Sequence, residues 1–270
     1  MPSFTGKTFA SFYKNILGIN QSSNTGVDTT ARHIQDGAGN NTSIQLSDDN
    51  LSVQPQNDDT TGTMLVKNKA GSNIFAVDTT NSKLLGGASQ TALNTNYAHF
   101  GIDASAGSGT WTADNHFAVP FGLSETGATF IAMGSSTSSS FNDTDPASTL
   151  TIADNASFYI NTYWYIMDNI TIDAVRWWHA ADAATGDSTA AHLMSYAANI
   201  FTTTGGDLTD GTVVADSATI TNAGWEQAYY NQMTIRSADV SQARVVLFTF
   251  ASDTVNSDYS INATVKYHIR

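Results

Sequence analysis

The chain has 270 residues, 41% of them hydrophobic and 10% aromatic, enough for one sizeable core, but only 13% are charged against about 25% in ordinary domains. Net charge is −13 and there is no cysteine, which excludes disulfides, thiolate metal sites and cysteine nucleophiles and disfavours nucleic acid and anionic lipid as partners. Of the 24 acids, 22 are aspartates, turn formers rather than helix formers, so the composition points to an all-β protein.

The N-terminal stretch GKTFASFYKNILGI places Phe9, Phe12, Tyr13, Ile16 and Leu17 at i, i+3, i+4, i+7 and i+8, with Gly18 as a natural stop. This spacing predicts a short amphipathic helix within residues 1–20. A helix of about three turns is marginal alone, so its apolar stripe is expected to rest either on its own chain or on another protein. No apolar run reaches the ~20 residues of a membrane span, and no basic stretch precedes an apolar one at the start. The expectation is a soluble chain made without a secretion signal and without membrane insertion.

Residues 21–95 read differently. Only eight of the forty residues from Gln21 to Thr60 are apolar, too few for an independent core. Short strand-like words nevertheless recur about every ten residues: SIQL (43–46), LSVQ (51–54), TMLV (63–66), IFAV (74–77) and KLL (83–85), separated by clusters of Asp, Asn, Gly, Thr and Ser. Such strands are marginal singly. Three copies lying side by side would let each strand cover the other two, so this segment is expected to be a repetitive β shaft rather than a flexible linker.

Residues 96–270 carry the globular signal. Strands are expected at 115–119, 129–133, 157–167, 170–180, 191–197, 211–220, 228–236, 244–250 and over the final DYSINATVKYHIR, where the odd-numbered residues Tyr259 to Ile269 are all apolar and Lys266 and His268 fall on the solvent or neighbour side. Nine strands at this spacing predict a β-sandwich. In 157–167 both faces are apolar, so a second subunit is expected to cover one of them. Charge is concentrated here: residues 91–270 hold five cations and 17 acids, a balance of −12, whereas residues 1–90 hold six and seven, a balance of −1.

Candidate chemistry is sparse. His179, Asp182 and Asp187 could form an acid/base or metal set, and Asp143 with Asp145 or Asp207 with Asp210 a calcium site, but strand ends and Asp turns account for them. No P-loop, HExxH, GxSxG or dinucleotide fingerprint occurs. The reading is therefore no catalytic residue, no metal and no cofactor. Trp177 and Trp178 are adjacent on a strand and must point to opposite faces, so one of them can offer a flat apolar surface to a sugar ring. The polar loop 134–141 could hydrogen-bond a glycan.

A short helix, a polar repetitive β segment and a terminal jelly roll together resemble the trimeric fibres and spikes of tailed-bacteriophage virions. The words GNNTSIQLSDDN and GSNIFAVDTTNSKLLGG are similar to those of phage fibre proteins over residues 6–90, and the head resembles tumour-necrosis-factor-like jelly rolls in strand count and closing strand. The resemblance implies a homotrimer on the virion surface, docked to capsid or tail through Phe9, Phe12, Tyr13, Ile16 and Leu17, with a distal head that meets host or environmental glycans. A head fibre is favoured over a tail fibre because the chain is short. The competing readings are a carbohydrate-degrading spike and a secreted adhesion module.

Overall fold

The computed structural model describes residues 13, 16–23, 26–103, 113–124, 131–135, 146–150, 160–182, 185–198, 207–254 and 258–270. It divides into two compact units, Met1–Asn94 and Thr95–Arg270. Among the described residues there is no α-helix, only 3-10 structure at Tyr13 and at Ile160–Thr162, and no helix is long and apolar enough to cross a membrane. The fold is all-β.

The expected N-terminal helix falls mostly outside the described residues, Phe9 and Phe12 with it. Ile16 and Leu17 are irregular, and Gly18 opens a strand rather than ending a described helix.

The first unit contains two antiparallel four-stranded sheets. One is β1 (Gly18–Ile19), β2 (Arg32–Gln35), β3 (Asn41–Leu46) and β4 (Leu51–Val53); the other is β5 (Met64–Lys67), β6 (Asn73–Asp78), β7 (Lys83–Gly86) and β8 (Thr91–Ala92). All five strand words expected in this segment are strands. Turn chemistry explains why, and it is used twice. In Asp36–Asn40 the Asp36 Oδ1 accepts the Asn40 amide at 2.9 Å, and the backbone closes through Asp36 N to Asn40 O at 3.0 Å. In Asn68–Ser72 the Asn68 Oδ1 accepts the Ser72 amide at 2.9 Å, with Asn68 N to Ser72 O at 2.9 Å. Each turn places an Ala-Gly pair at its tip with the glycine left-handed, at φ 90° for Gly39 and 87° for Gly71, a conformation only glycine adopts cheaply.

The second turn of each sheet repeats the device: buried Ser47 accepts from the Asn50 amide and buried Asp78 from the Asn81 amide, at 3.0 and 2.9 Å. The β2-β3-β4 hairpins thus recur as β5-β6-β7 about 32 residues later, the signature of a tandem structural repeat. Unlike a self-sufficient domain, this unit shows almost no buried apolar core among its described residues. Ala76 is its one buried apolar residue among those described, while Ile44, Leu51, Val53, Met64, Leu65, Val66, Ile74 and Leu84 are exposed.

The second unit holds two sheets. Its strands are β9 (Thr95–Asp103), β10 (Asn115–Val119), β11 (Gly122–Ser124), β12 (Ile131–Ser135), β13 (Trp164–Tyr165), β14 (Ile170–Asp182), β15 (Ser188–Ala198), β16 (Leu208–Asp216), β17 (Ile220–Thr221), β18 (Glu226–Gln232), β19 (Thr234–Ile235), β20 (Asp239–Val240), β21 (Arg244–Ser252) and β22 (Asp258–Ile269). One sheet runs β12-β10-β21-β15-β16-β19, with β13 on β21 and β17 on β15; the other runs β11-β9-β22-β14-β18, with β20 on β14. Pairing is antiparallel except between β9 and β11.

The inner faces of the two sheets meet in one cluster built on Phe100, Val175, Trp177, Leu193, Phe248, Phe250, Ile261 and Val265. Trp177 reaches across to Phe248 and Phe250, with ring centroids at 6.1 and 5.9 Å.

The C-terminal strand takes its predicted side. Tyr259, Ile261, Ala263 and Val265 are buried in the core, and β22 lies between β9 and β14, which ties the terminus into the middle of the sheet. Two expectations for it fail: Ile269 is 45% exposed rather than in the core, and His268 does not face solvent but is buried, its Nδ1 3.0 Å from Asp173 Oδ2. A break in register between Ile172 and Ala174 turns Asp173 toward it.

Segment 157–167 also departs from expectation. It is not one strand: after the 3-10 turn, the amide of Phe121 donates to Asn161 O and that of Ile166 to Arg244 O, so only Trp164 and Tyr165 pair with β21. Asn161 and Thr162 are turn formers and interrupt the alternation. Of the face of this segment for which cover by another subunit is expected, Tyr163 packs on its own chain, whereas Tyr165 and Met167 are exposed. A second cluster of Ala118, Met133, Met194, Tyr196, Leu208 and Leu247 buries the first sheet's outer face with Leu150 packed on it, and the Tyr196 hydroxyl donates to Ala147 O at 2.8 Å.

Candidate functional site

The sheet β11-β9-β22-β14-β18 differs in having one dry face and one exposed face. Strand alternation sends Trp177 wholly into the core and leaves Trp178 53% exposed. Of the two tryptophans singled out as sugar platforms, Trp177 is therefore removed from any ligand and Trp178 is available to one.

Register assembles its neighbours. Trp178 lies opposite Tyr230 on β18 and Asn262 on β22; Arg176 lies opposite Gln232 and Thr264; Thr264 is paired in turn with His99 on β9, and Lys266 with Tyr97. Trp178 and Tyr230 sit with ring centroids 4.8 Å apart and planes tilted by 48°, while His99 Nδ1 is 3.2 Å from Thr264 Oγ1. Tyr97 and Tyr230 are 58% and 45% exposed. The face therefore presents three half-exposed aromatic rings among Asn, Gln and Thr side chains.

Its charge is unusual for this unit. Five cations serve 17 acids in the second unit, and three of those cations are occupied: Arg236 with Asp216, Arg244 with Asp210 and Arg270 with Asp239, at 2.7, 2.9 and 3.0 Å. Arg176 and Lys266, the remaining two, make no ion pair among the described residues, and both project from this face on adjacent strands. Since Ala174 is opposite Lys266 and Arg176 opposite Thr264, the two cations are diagonal neighbours, about 7–8 Å apart at the backbone.

No protein-family model matches the chain, and no curated protein is similar to it at a significant level. The site has to be read from its own chemistry.

The set His179, Asp182 and Asp187 resolves into an internal polar seam. His179 is buried between Trp177 and Tyr229, with ring centroids at 4.8 and 5.1 Å, and its Nε2 is 3.2 Å from Asn222 Oδ1. Burial pulls its pKa down to about 4, against the opposing pull of the Asn222 bond, so the ring is neutral at neutral pH. Asp187 accepts the Thr254 hydroxyl at 2.6 Å and the Tyr259 hydroxyl at 3.3 Å. The side chain of Asp182 lies outside the described residues, and no cluster of three metal-ligating side chains occurs among those described.

Asp210 holds Arg244, which also donates to Ser195 Oγ at 2.6 Å. Asp143, Asp145 and residues 136–141 of the polar loop lie outside the described residues, and Asp207 belongs to no group of three or more metal-ligating side chains among the described residues. A depression of about 220 Å³ lined by Trp164, Met167, Asp168, Tyr267 and Ile269 gathers one carboxylate, whereas acid/base glycoside hydrolysis uses two.

Sequence reasoning found Trp178 and missed Tyr97, His99, Arg176, Tyr230 and Lys266. Arg176 was legible, being two residues from Trp178 and so on the same side. The others depend on which strands neighbour β14, and sequence spacing does not encode that.

Proposed function

We propose that the chain is a homotrimeric fibre protein of a phage virion, docked to capsid or tail by its N-terminal segment and presenting its second unit outward to bind glycans. The observation that carries this reading is how little apolar surface the described residues of the first unit bury. Its apolar side chains stand exposed on short strands, which cost conformational entropy to order and return little burial within one chain. Parallel association of copies would cover them. The two-fold hairpin repeat supports a shaft, because tandem units lengthen an interface without changing it. Trimer rather than dimer follows the resemblance to phage fibres.

Exposure of Tyr13, Ile16 and Leu17 supports an N-terminal docking role; Phe9 and Phe12 belong to the same proposal. The second unit is best read as a jelly roll. With β12 and the two- and three-residue strands set aside, the remaining strands in chain order form one sheet ordered first, eighth, third, sixth and another ordered second, seventh, fourth, fifth. That is the ordering of two interlocked Greek keys.

Sedimentation equilibrium of the full chain tests the proposal. The expected mass is three times 28.7 kDa, and a monomer would remove the physical reason for the shaft.

A further inference from the structure

The glycan reading names no sugar, and the exposed face of the β14 sheet narrows it. We infer that this face binds a negatively charged glycan, one carrying carboxylate or sulfate groups, with Trp178 and Tyr230 stacking a sugar ring and Arg176 and Lys266 taking the anionic substituent. The inference rests on the proposed role of the second unit in glycan attachment, but it can fail separately from it.

Three observations converge. The first is charge. In a unit of five cations and 17 acids, every cation away from this face is committed to an aspartate, and Arg176 and Lys266 are not. Asp173, the acid nearest along β14, is engaged by His268 at 3.0 Å. An anion approaching the second unit is therefore repelled by its acid-rich surface in general and met by uncommitted cations here.

The second observation is shape. A tilted Trp178–Tyr230 pair at 4.8 Å gives a shallow apolar platform of about one sugar ring's width. The third is the filling between platform and cations. Asn262, Thr264 and Gln232 occupy the same face and supply donors and acceptors suited to hydroxyl groups. A dry contact with a second copy would have to desolvate these polar side chains and both cations, whereas a hydrated sugar leaves them wet.

The test is binding of the full chain to polygalacturonate, to dextran sulfate and to uncharged dextran, measured by calorimetry at low and at physiological salt. The expected result is binding to one or both anionic polymers, weakened by salt, with none to dextran; the two anionic arms tell carboxylate from sulfate. Arg176→Ala and Lys266→Ala should each weaken it about tenfold, the worth of one charge-assisted hydrogen bond, and Trp178→Ala by at least as much. Arg236→Ala removes the same charge from the other sheet and should leave binding unchanged.

Binding to dextran alone would overturn the charge assignment and leave glycan attachment standing. If no polymer binds and Arg176→Glu breaks the oligomer in sedimentation, the face is a contact between copies and the inference is wrong. Equal loss with Arg236→Ala would reduce the effect to net charge and overturn it too.

Discussion

Acidification should destabilise the second unit through two buried imidazoles well before its carboxylates protonate. His116 on β10 is buried with its ring 4.8 Å from that of His192, and burial first, then the charge of His192, lowers its pKa to about 3. His179 is lowered to about 4. In the unfolded chain both titrate near the ordinary histidine value of ~6.5. Between these limits the unfolded state binds protons that the folded state refuses, so stability is complete above pH 6.5 and falls as pH drops toward the folded values. Each group costs roughly 1.4 kcal/mol per pH unit, so the pair removes about 4 kcal/mol between pH 6.5 and 5. Set against a typical total of 5–15 kcal/mol, that should lower Tm by roughly 10 °C. Asp114 works in the opposite sense, since burial and Asp253 raise its pKa, so protonation there favours the fold.

Thermal unfolding followed by tryptophan fluorescence at pH 7.5 and 5.0, at one protein concentration, measures the slope. His116→Gln and His179→Gln should each remove about half of it, whatever they do to stability at pH 7.5. A Tm that is the same at both pH values, or a slope that survives both substitutions, would refute the reasoning.

The adjacent tryptophans should behave as opposites. Trp177→Ala opens a cavity in the centre of the sandwich and should cost about 3–5 kcal/mol, while Trp178→Ala should stay within about 0.5 kcal/mol in chemical denaturation. Gly211→Ala should destabilise by about 1–3 kcal/mol, because a Cβ there would lie 2.6 Å from the Tyr196 ring and 2.9 Å from the Ser148 backbone; a neutral result would show that residues 146–150 are easily displaced. Leu65→Asp and Val66→Asp put charge on the exposed strand β5 and should shift the sedimenting species toward monomer, whereas a folded first unit in a stable monomer would contradict the shaft.

What could be read from the sequence follows the physics of each element. The strand words of the first unit were legible because Asn, Asp and Gly mark their turns on both sides. The terminal strand was legible because its alternation runs unbroken from Tyr259 to Ile269. Strand β9 escaped, although Ala98, Phe100 and Ile102 alternate inward, because Ala98 and Gly101 leave the pattern weak. Segment 157–167 misled by its aromatic density: of its described aromatics Trp164 enters the core and Tyr163 packs on the second cluster, but the 3-10 turn at Ile160–Thr162 precedes them in place of a continuous strand. The candidate site was half legible for a related reason. Period two fixes which side of its own strand a residue takes, but Arg176, Lys266 and Tyr230 come together through pairings between residues far apart in the chain, such as Ala174 with Lys266, and those are decided by the whole core.

The uneven charge gives the two proposed interactions opposite salt responses. Copies that associate through the first unit do so across a surface of balance −1, while the second units they bring together carry −12 each. Added salt screens that repulsion, with a Debye length of about 10 Å at 0.1 M, and leaves the apolar contacts between shafts intact or strengthened. Assembly should therefore hold or tighten as salt rises. An anionic sugar held by Arg176 and Lys266 should loosen over the same range. If assembly and sugar binding weakened together, the same charges would be serving both, and the exposed face of β14 would have to be a contact between copies.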